Sequence, residues 1–177
     1  NLKTGFLNQT NTTMKKLNNL LLFVFAGLAF ACSSEDEDPK LVEKNVTIEV
    51  EMGGDYSEYL VTFSVHSMLA GTSTFVAPVL EEPKDLDWTQ VVGQGNTYSL
   101  TFEPEASSLS VNSSAPIHSL GFVFNAVHLG GETDVSFQPL SAEVRILANG
   151  SAFKDFSYEA LAPGETSIPI SDSIIVE

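Results

Sequence analysis

The sequence predicts an all-β fold, an immunoglobulin-like antiparallel β-sandwich of about eight or nine strands. Three observations carry that expectation. Apolar residues recur with period two rather than 3.6, the spacing of a strand with one buried face. Turn-forming residues interrupt the alternation about every ten positions. No long helical stretch stands out, and the best candidate for a short helix is 85–92, just beyond Pro83.

The elements follow in order. Val46, Ile48, Val50 and Met52 alternate with Thr47, Glu49 and Glu51, and Gly53-Gly54-Asp55 reads as a turn. Tyr59, Val61, Phe63 and Val65 then alternate with Leu60, Thr62, Ser64 and His66, so the two runs read as a hairpin with one dry face. Tyr98, Leu100 and Phe102 repeat the pattern after Gly93 and Gly95, and Leu109 with Val111 marks a further short strand. The run 120–129, LGFVFNAVHL, is apolar at both parities, which predicts a strand buried on both faces or close to it. In 142–160, Asn149-Gly150 suits a type I′ turn, because both central positions need positive φ. Simple pairing from that turn sets Ile146 opposite Phe153, both inward, and Arg145 opposite Lys154, a like-charge pair. One extra residue near Lys154 or Asp155 removes the clash and sets Val144 against Phe156, Ala142 against Tyr158 and Arg145 against Asp155. The tail, Ile168-Pro169-Ile170 and then Ile174-Ile175-Val176, is strand-like, and Pro169 places it at an edge or bend because it has no N–H to donate.

The single cysteine, Cys32, follows the uncharged run LLLFVFAGLAFA, and Met14, Lys15 and Lys16 precede that run. A start methionine, a basic segment, a short apolar segment and small residues at a cut are the parts of a secretory signal. The run is too short for a bilayer span, which needs about 20 residues. Ala29-Phe30-Ala31-Cys32 resembles a bacterial lipobox, which implies that Cys32 becomes the first mature residue and carries acyl chains. Small Ala31 fits that pattern; Ala29 stands where leucine is usual, with Leu28 one step further out. Ser33-Ser34-Glu35-Asp36-Glu37-Asp38 resembles the acidic export tag of surface lipoproteins in the Bacteroidota. The domain expectation is therefore 1–13 upstream translation, 14–31 signal peptide, 32–43 lipidated cysteine and acidic tether, and 44–177 sandwich. The resemblance implies an outer-membrane anchor with display at the cell surface, or a periplasm-facing anchor as the alternative.

Loss of Lys3, Lys15 and Lys16 with the signal leaves all 23 acids but only Lys40, Lys44, Lys84, Arg145 and Lys154, a net charge of about −18. That field repels nucleic acid, and no nucleic-acid partner is expected. One cysteine leaves neither a disulfide nor a thiolate metal site within the domain. His66, His118 and His128 have no helical pair spacing and read as surface or hydrogen-bonded residues. There is no Gly-x-Ser-x-Gly elbow, and Gly53-Gly54 and Gly130-Gly131 read as turns rather than phosphate cradles.

Glu81, Glu82, Asp85 and Asp87 form the densest acidic loop of the domain, a weak calcium candidate without EF-hand spacing. No other cofactor is expected. Trp88 is either a ligand contact or a cap over the sandwich end. Asp172-Ser173-Ile174 resembles the short O-glycosylation acceptor of the Bacteroidota, with Ser173 as the acceptor. The expected function is a non-catalytic binding or adhesion module for a glycan or an envelope protein, presenting an exposed apolar patch near 75–88. The alternatives are a small carboxylate-dependent hydrolase, with two converging acids in a cleft, and a structural accessory subunit of an envelope complex.

Overall fold

The structure is a computed structural model that describes residues 41–91, 96–130, 136–161, 163, 165 and 167–176. The signal segment, Cys32 and residues 33–40 of the acidic tether lie outside those residues, as do Gly93, Gly95 and Gly131. Among the described residues there are ten strands: β1 Val46–Gly53, β2 Tyr59–Met68, β3 Pro78–Glu82, β4 Thr89–Val91, β5 Thr97–Phe102, β6 Ser108–Ser113, β7 Ser119–His128, β8 Ser141–Ala148, β9 Ser151–Glu159 and β10 Ile170–Ile175. They make two five-stranded antiparallel sheets, in the orders β3-β6-β1-β8-β9 and β10-β7-β2-β5-β4. This is the expected all-β sandwich, with short β3 and β4 added to the strands legible in the sequence. The expected helix at 85–92 is absent; a turn follows Pro83 and Thr89–Val91 is a strand.

The alternation in β1 and β2 is as read, but the hairpin is not. β1 pairs with β6 and β8, whereas β2 pairs with β5 and β7 in the opposite sheet. A short 3-10 turn, Tyr56–Glu58, carries the chain across. The dry faces of a hairpin and of two strands facing each other have the same period, so alternation alone does not separate them. Val46, Ile48 and Val50 of β1 and Val61, Phe63 and Val65 of β2 share one buried core. Only β4–β5 and β8–β9 are hairpins; every other connection changes sheet.

The β8–β9 hairpin turns at Asn149 and Gly150, with φ of 51° and 76°, as a type I′ turn requires. Its register shifts once. Leu147 pairs with Ala152 and Ile146 with Lys154, so Phe153 is the extra residue. Val144 then faces Phe156, Ala142 faces Tyr158 and Arg145 faces Asp155, as expected. The bulge falls one residue earlier than the expected position, and Phe153 is not inward. It is 36% exposed, and Lys44 Nζ lies 5.9 Å from its ring centre.

β7 departs from its expected burial on both faces. Leu120, Phe122, Phe124 and Ala126 are buried, but outward Val123 and Val127 are 37% and 47% exposed. Asn125 between them is half-buried, its Oδ1 accepting from Ser167 Oγ.

Candidate functional site

The sandwich is asymmetric in charge. On the β1-containing sheet, Glu49, Glu51, Glu143, Arg145, Asp155 and Glu159 stand at outward positions. The other sheet turns hydroxyls, amide and apolar groups outward. β2 presents Leu60, Thr62, Ser64 and His66, and β7 presents Val123, Asn125 and Val127. Ser64 and Ser99 share a hydrogen bond of 2.9 Å across the β2–β5 pair. No Asp, Glu, Lys or Arg stands at an outward position on any of its five strands.

A groove of about 560 Å³ opens at one end of this uncharged face. His66, Met68, Ser119, Ser173 and Ile175 contribute from the strands, and Thr72, Ser73 and His118 from the loops. The sequence builds it through Gly121, which pairs with His66 in the β2–β7 register. A Cβ on Gly121 would lie 2.1 Å from His66 Cε1, so only glycine lets the imidazole lie across the β7 backbone. His118 is fixed differently: its Nδ1 lies 2.9 Å from the Val42 carbonyl, and its N–H donates to Met68 O. Glu43 Oε1 accepts from the Ala70 N–H at 2.8 Å, which ties the loop over the groove to the start of the domain. The groove therefore sits where residues 41–43 join the sandwich. Its lining offers imidazole nitrogens, hydroxyls and aliphatic surface, but no carboxylate.

A second, smaller trough of about 330 Å³ crosses the charged sheet. Glu49 and Glu51 flank it on β1 and Glu81 and Glu82 on β3, with Ser108 and Ser110 of β6 between them and Lys84 at the rim. Glu81 is half-buried and accepts from Asn112 Nδ2 at 3.2 Å; Glu51 and Glu82 are exposed. Glu81 and Glu82 thus belong to a strand rather than to the loop expected from the sequence. Asp85 and Asp87 lie beyond it, exposed. Among the described residues no three such side chains are gathered where one metal ion would be held.

Trp88 caps the core. Its ring lies 6.3 Å from that of Phe63 and 6.4 Å from that of Tyr98, and its Nε1 is buried. The apolar patch expected near 75–88 is consequently not at Trp88; the exposed apolar residues that share a sheet face are Val123, Val127 and Ile175. Ser173 is open to solvent on β10, at the mouth of the groove. His128 packs edge-on to Tyr59 and Phe137, and Gly130 donates to its Nδ1. Burial pushes the Tyr59 phenol above its ordinary value, with the Leu140 backbone opposing the shift.

The seam between β9 and β10 was not legible in the sequence. Lys154 pairs with Ile146 and Asp172 with Phe122, so both sit at inward parity on edge strands of opposite sheets. There they form an ion pair across the gap. The Lys154 ammonium beside Asp172 holds that carboxyl below its usual value. Lys154 Nζ also lies 5.1 Å from the Phe156 ring centre.

No family model matches the chain, and no curated protein does. Solved structures match its fold. A domain of unknown function, DUF4425, from Bacteroides vulgatus is 10% identical with a TM-score of 0.51, covering 76% of this chain and 96% of that one. A DUF4425 family protein from Bacteroides ovatus is 11% identical with a TM-score of 0.53, covering 75% and 96%. The calcium-bound form of a protein from Parabacteroides distasonis is 14% identical with a TM-score of 0.45, covering 77% and 99%.

Proposed function

We propose that the chain is a lipid-anchored envelope protein, displayed at the cell surface, whose sandwich is a non-catalytic binding module. One observation carries this reading: the groove of about 560 Å³ lies on a sheet face without Asp, Glu, Lys or Arg and is lined by imidazole, hydroxyl and aliphatic groups. Such a lining recognises a surface by shape and hydrogen bonding, and it holds no carboxylate pair of the kind a glycosidase uses. The position of the groove fits the anchor. About nine residues separate Cys32 from Leu41, a reach of at most about 30 Å when fully extended.

The test of the anchor uses the full chain and its Cys32→Ala variant, labelled with palmitate in cells and treated with protease from outside. The expected result is label and protease sensitivity in the parent and no label in the variant. Label with full protection moves the domain to the periplasmic side. An unlabelled parent removes the anchor. The hydrolase alternative rests on the carboxylate trough, where half-buried Glu81 faces β1 across β6. It requires a glycosidase activity on a polysaccharide panel that Glu81→Gln abolishes and Ser64→Glu, on the other sheet, does not.

A further inference from the structure

We infer that the groove of about 560 Å³ is a binding site for a soft metal ion, monovalent copper, held by His66, Met68 and His118. The inference rests on the binding-module reading and names the occupant of that groove. All three side chains line it. His66 and Met68 stand two residues apart at outward positions of β2, about 7 Å along the strand. His118 comes in beside Met68, whose carbonyl accepts from the His118 N–H at 2.9 Å. Gly121 brings His66 toward the same place. With no Cβ in the way its ring lies across β7, and Cε1 and Nε2 are the ring atoms nearest the position a Cβ would take. Met68 pairs with Ser119, two residues back along β7 and next to His118. The imidazole of His66 is therefore carried off its own strand and over the one that His118 leads into, with the Met68 thioether alongside.

The nitrogens are set up as Lewis bases. A carbonyl oxygen only accepts, so His118 Nδ1 carries the proton in its 2.9 Å contact with Val42 O, and Nε2 of the neutral ring keeps its lone pair. An imidazole fixed by a backbone carbonyl through one nitrogen and open at the other is the arrangement of metal-ligating histidines. Among the described residues, His66 makes no hydrogen bond through either ring nitrogen. Charge and donor type then select the ion. The chain bears a net charge of −15, and its field draws cations and repels anions. Calcium and magnesium take oxygen ligands, carboxylates above all, and the groove lining has no carboxylate. Imidazole suits several transition metals, and a thioether narrows the choice to Cu(I). Met52, the other methionine among the described residues, is buried in the core; Met68 is half-buried, in the groove.

The test uses the full chain in detergent, carrying Cys32→Ala to remove its one thiol as a competing ligand. Under anaerobic reducing conditions, competition with bicinchoninate is expected to give one Cu(I) per chain. His66→Ala, His118→Ala and the volume-conserving Met68→Leu are each expected to weaken binding at least tenfold while the near-ultraviolet circular dichroism stays unchanged. Ag(I), a redox-inert stand-in for Cu(I), is expected to move the Met68 methyl resonance and the imidazole resonances of His66 and His118, while those of Met52 and His128 stay in place. No Cu(I) binding by the folded protein overturns the inference. So does binding that survives the combined His66→Ala and His118→Ala changes, or a preference for Zn(II) that ignores Met68→Leu. So does a groove that takes up inorganic phosphate in place of the metal. Failure of copper binding leaves the earlier reading standing: the anchor falls only with the palmitate label, and the non-catalytic module only with an activity that Glu81→Gln abolishes.

Discussion

At the residue scale, single atoms hold the two sheets in register. The Tyr158 hydroxyl accepts from the Ala126 N–H at 3.0 Å and donates to the Ala126 carbonyl at 3.2 Å. The β10 ladder on β7 ends at Phe124, so this hydroxyl takes the place of the next backbone partner. Tyr158→Phe removes one buried atom and strands two backbone groups. The expected cost is about 1–3 kcal/mol, read as a lower urea midpoint with an unchanged slope. Gly121 acts through space rather than through a bond. Gly121→Ala drives the His66 ring from its seat, and because a ring can swing outward the stability cost is expected to stay under about 1 kcal/mol. The readout is the His66 imidazole resonances, which should move while those of His128 stay in place. An unmoved His66 would mean that the close approach does not fix the ring.

At the element scale, the β8–β9 hairpin shows which signals a sequence carries. The Asn-Gly turn and the forbidden Arg145–Lys154 pair were enough to require a bulge, because turn geometry and charge are local. Its placement at Phe153 was not legible, because the choice depends on Lys154 reaching Asp172 on a strand in the other sheet. The same limit explains the misassigned β1–β2 hairpin: period two reports a buried face but not the strand that faces it. Phe153 is the surplus residue, so its deletion leaves every other pair between β8 and β9 intact. Deletion of Phe153 is expected to cost no more than about 1–2 kcal/mol, whereas deletion of Asp155 brings Lys154 beside Arg145 and should cost more. Urea denaturation of the two deletions decides it; equal losses would place the bulge elsewhere. The seam pair has its own signature in pH. Asp172 titrates below its ordinary value in the fold, so the unfolded chain takes up the proton first as pH falls. The stabilisation is therefore complete well above the ordinary aspartate value of about 3.9 and is lost as pH falls through it toward the lowered folded value. Lys154→Met should flatten the acid limb of the stability profile relative to the parent, and identical limbs would show that the pair adds nothing.

At the scale of the whole molecule, the sandwich separates its charges by sheet. The strand pattern was legible because burial has a period. The groove was not, because it joins residues from β2, β7 and β10 and from two loops, with Gly121 as the only local sign, a glycine inside an apolar strand. The acid-rich segment was visible, yet the fold divides it, with Glu81 and Glu82 on β3 and Asp85 and Asp87 beyond. The resulting trough concentrates Glu49, Glu51, Glu81 and Glu82 against Lys84 as the base lining it. Like charges held together in the fold and spread apart in the unfolded chain destabilise the fold, and salt relieves that repulsion. Glu51 is exposed and makes no ion pair among the described residues, whereas Glu49 has Arg145 at 3.6 Å. Glu51→Gln is accordingly expected to stabilise the domain by about 0.5–1 kcal/mol in dilute buffer, although most surface substitutions are close to neutral. The gain should shrink severalfold at an ionic strength of about 0.5 M, where the screening length falls to roughly 4 Å. Urea midpoints of parent and variant at low and high salt provide the measurement. A gain that persists in salt would assign the effect to strand propensity, and a loss at low salt would show that the trough carboxylates do not repel one another.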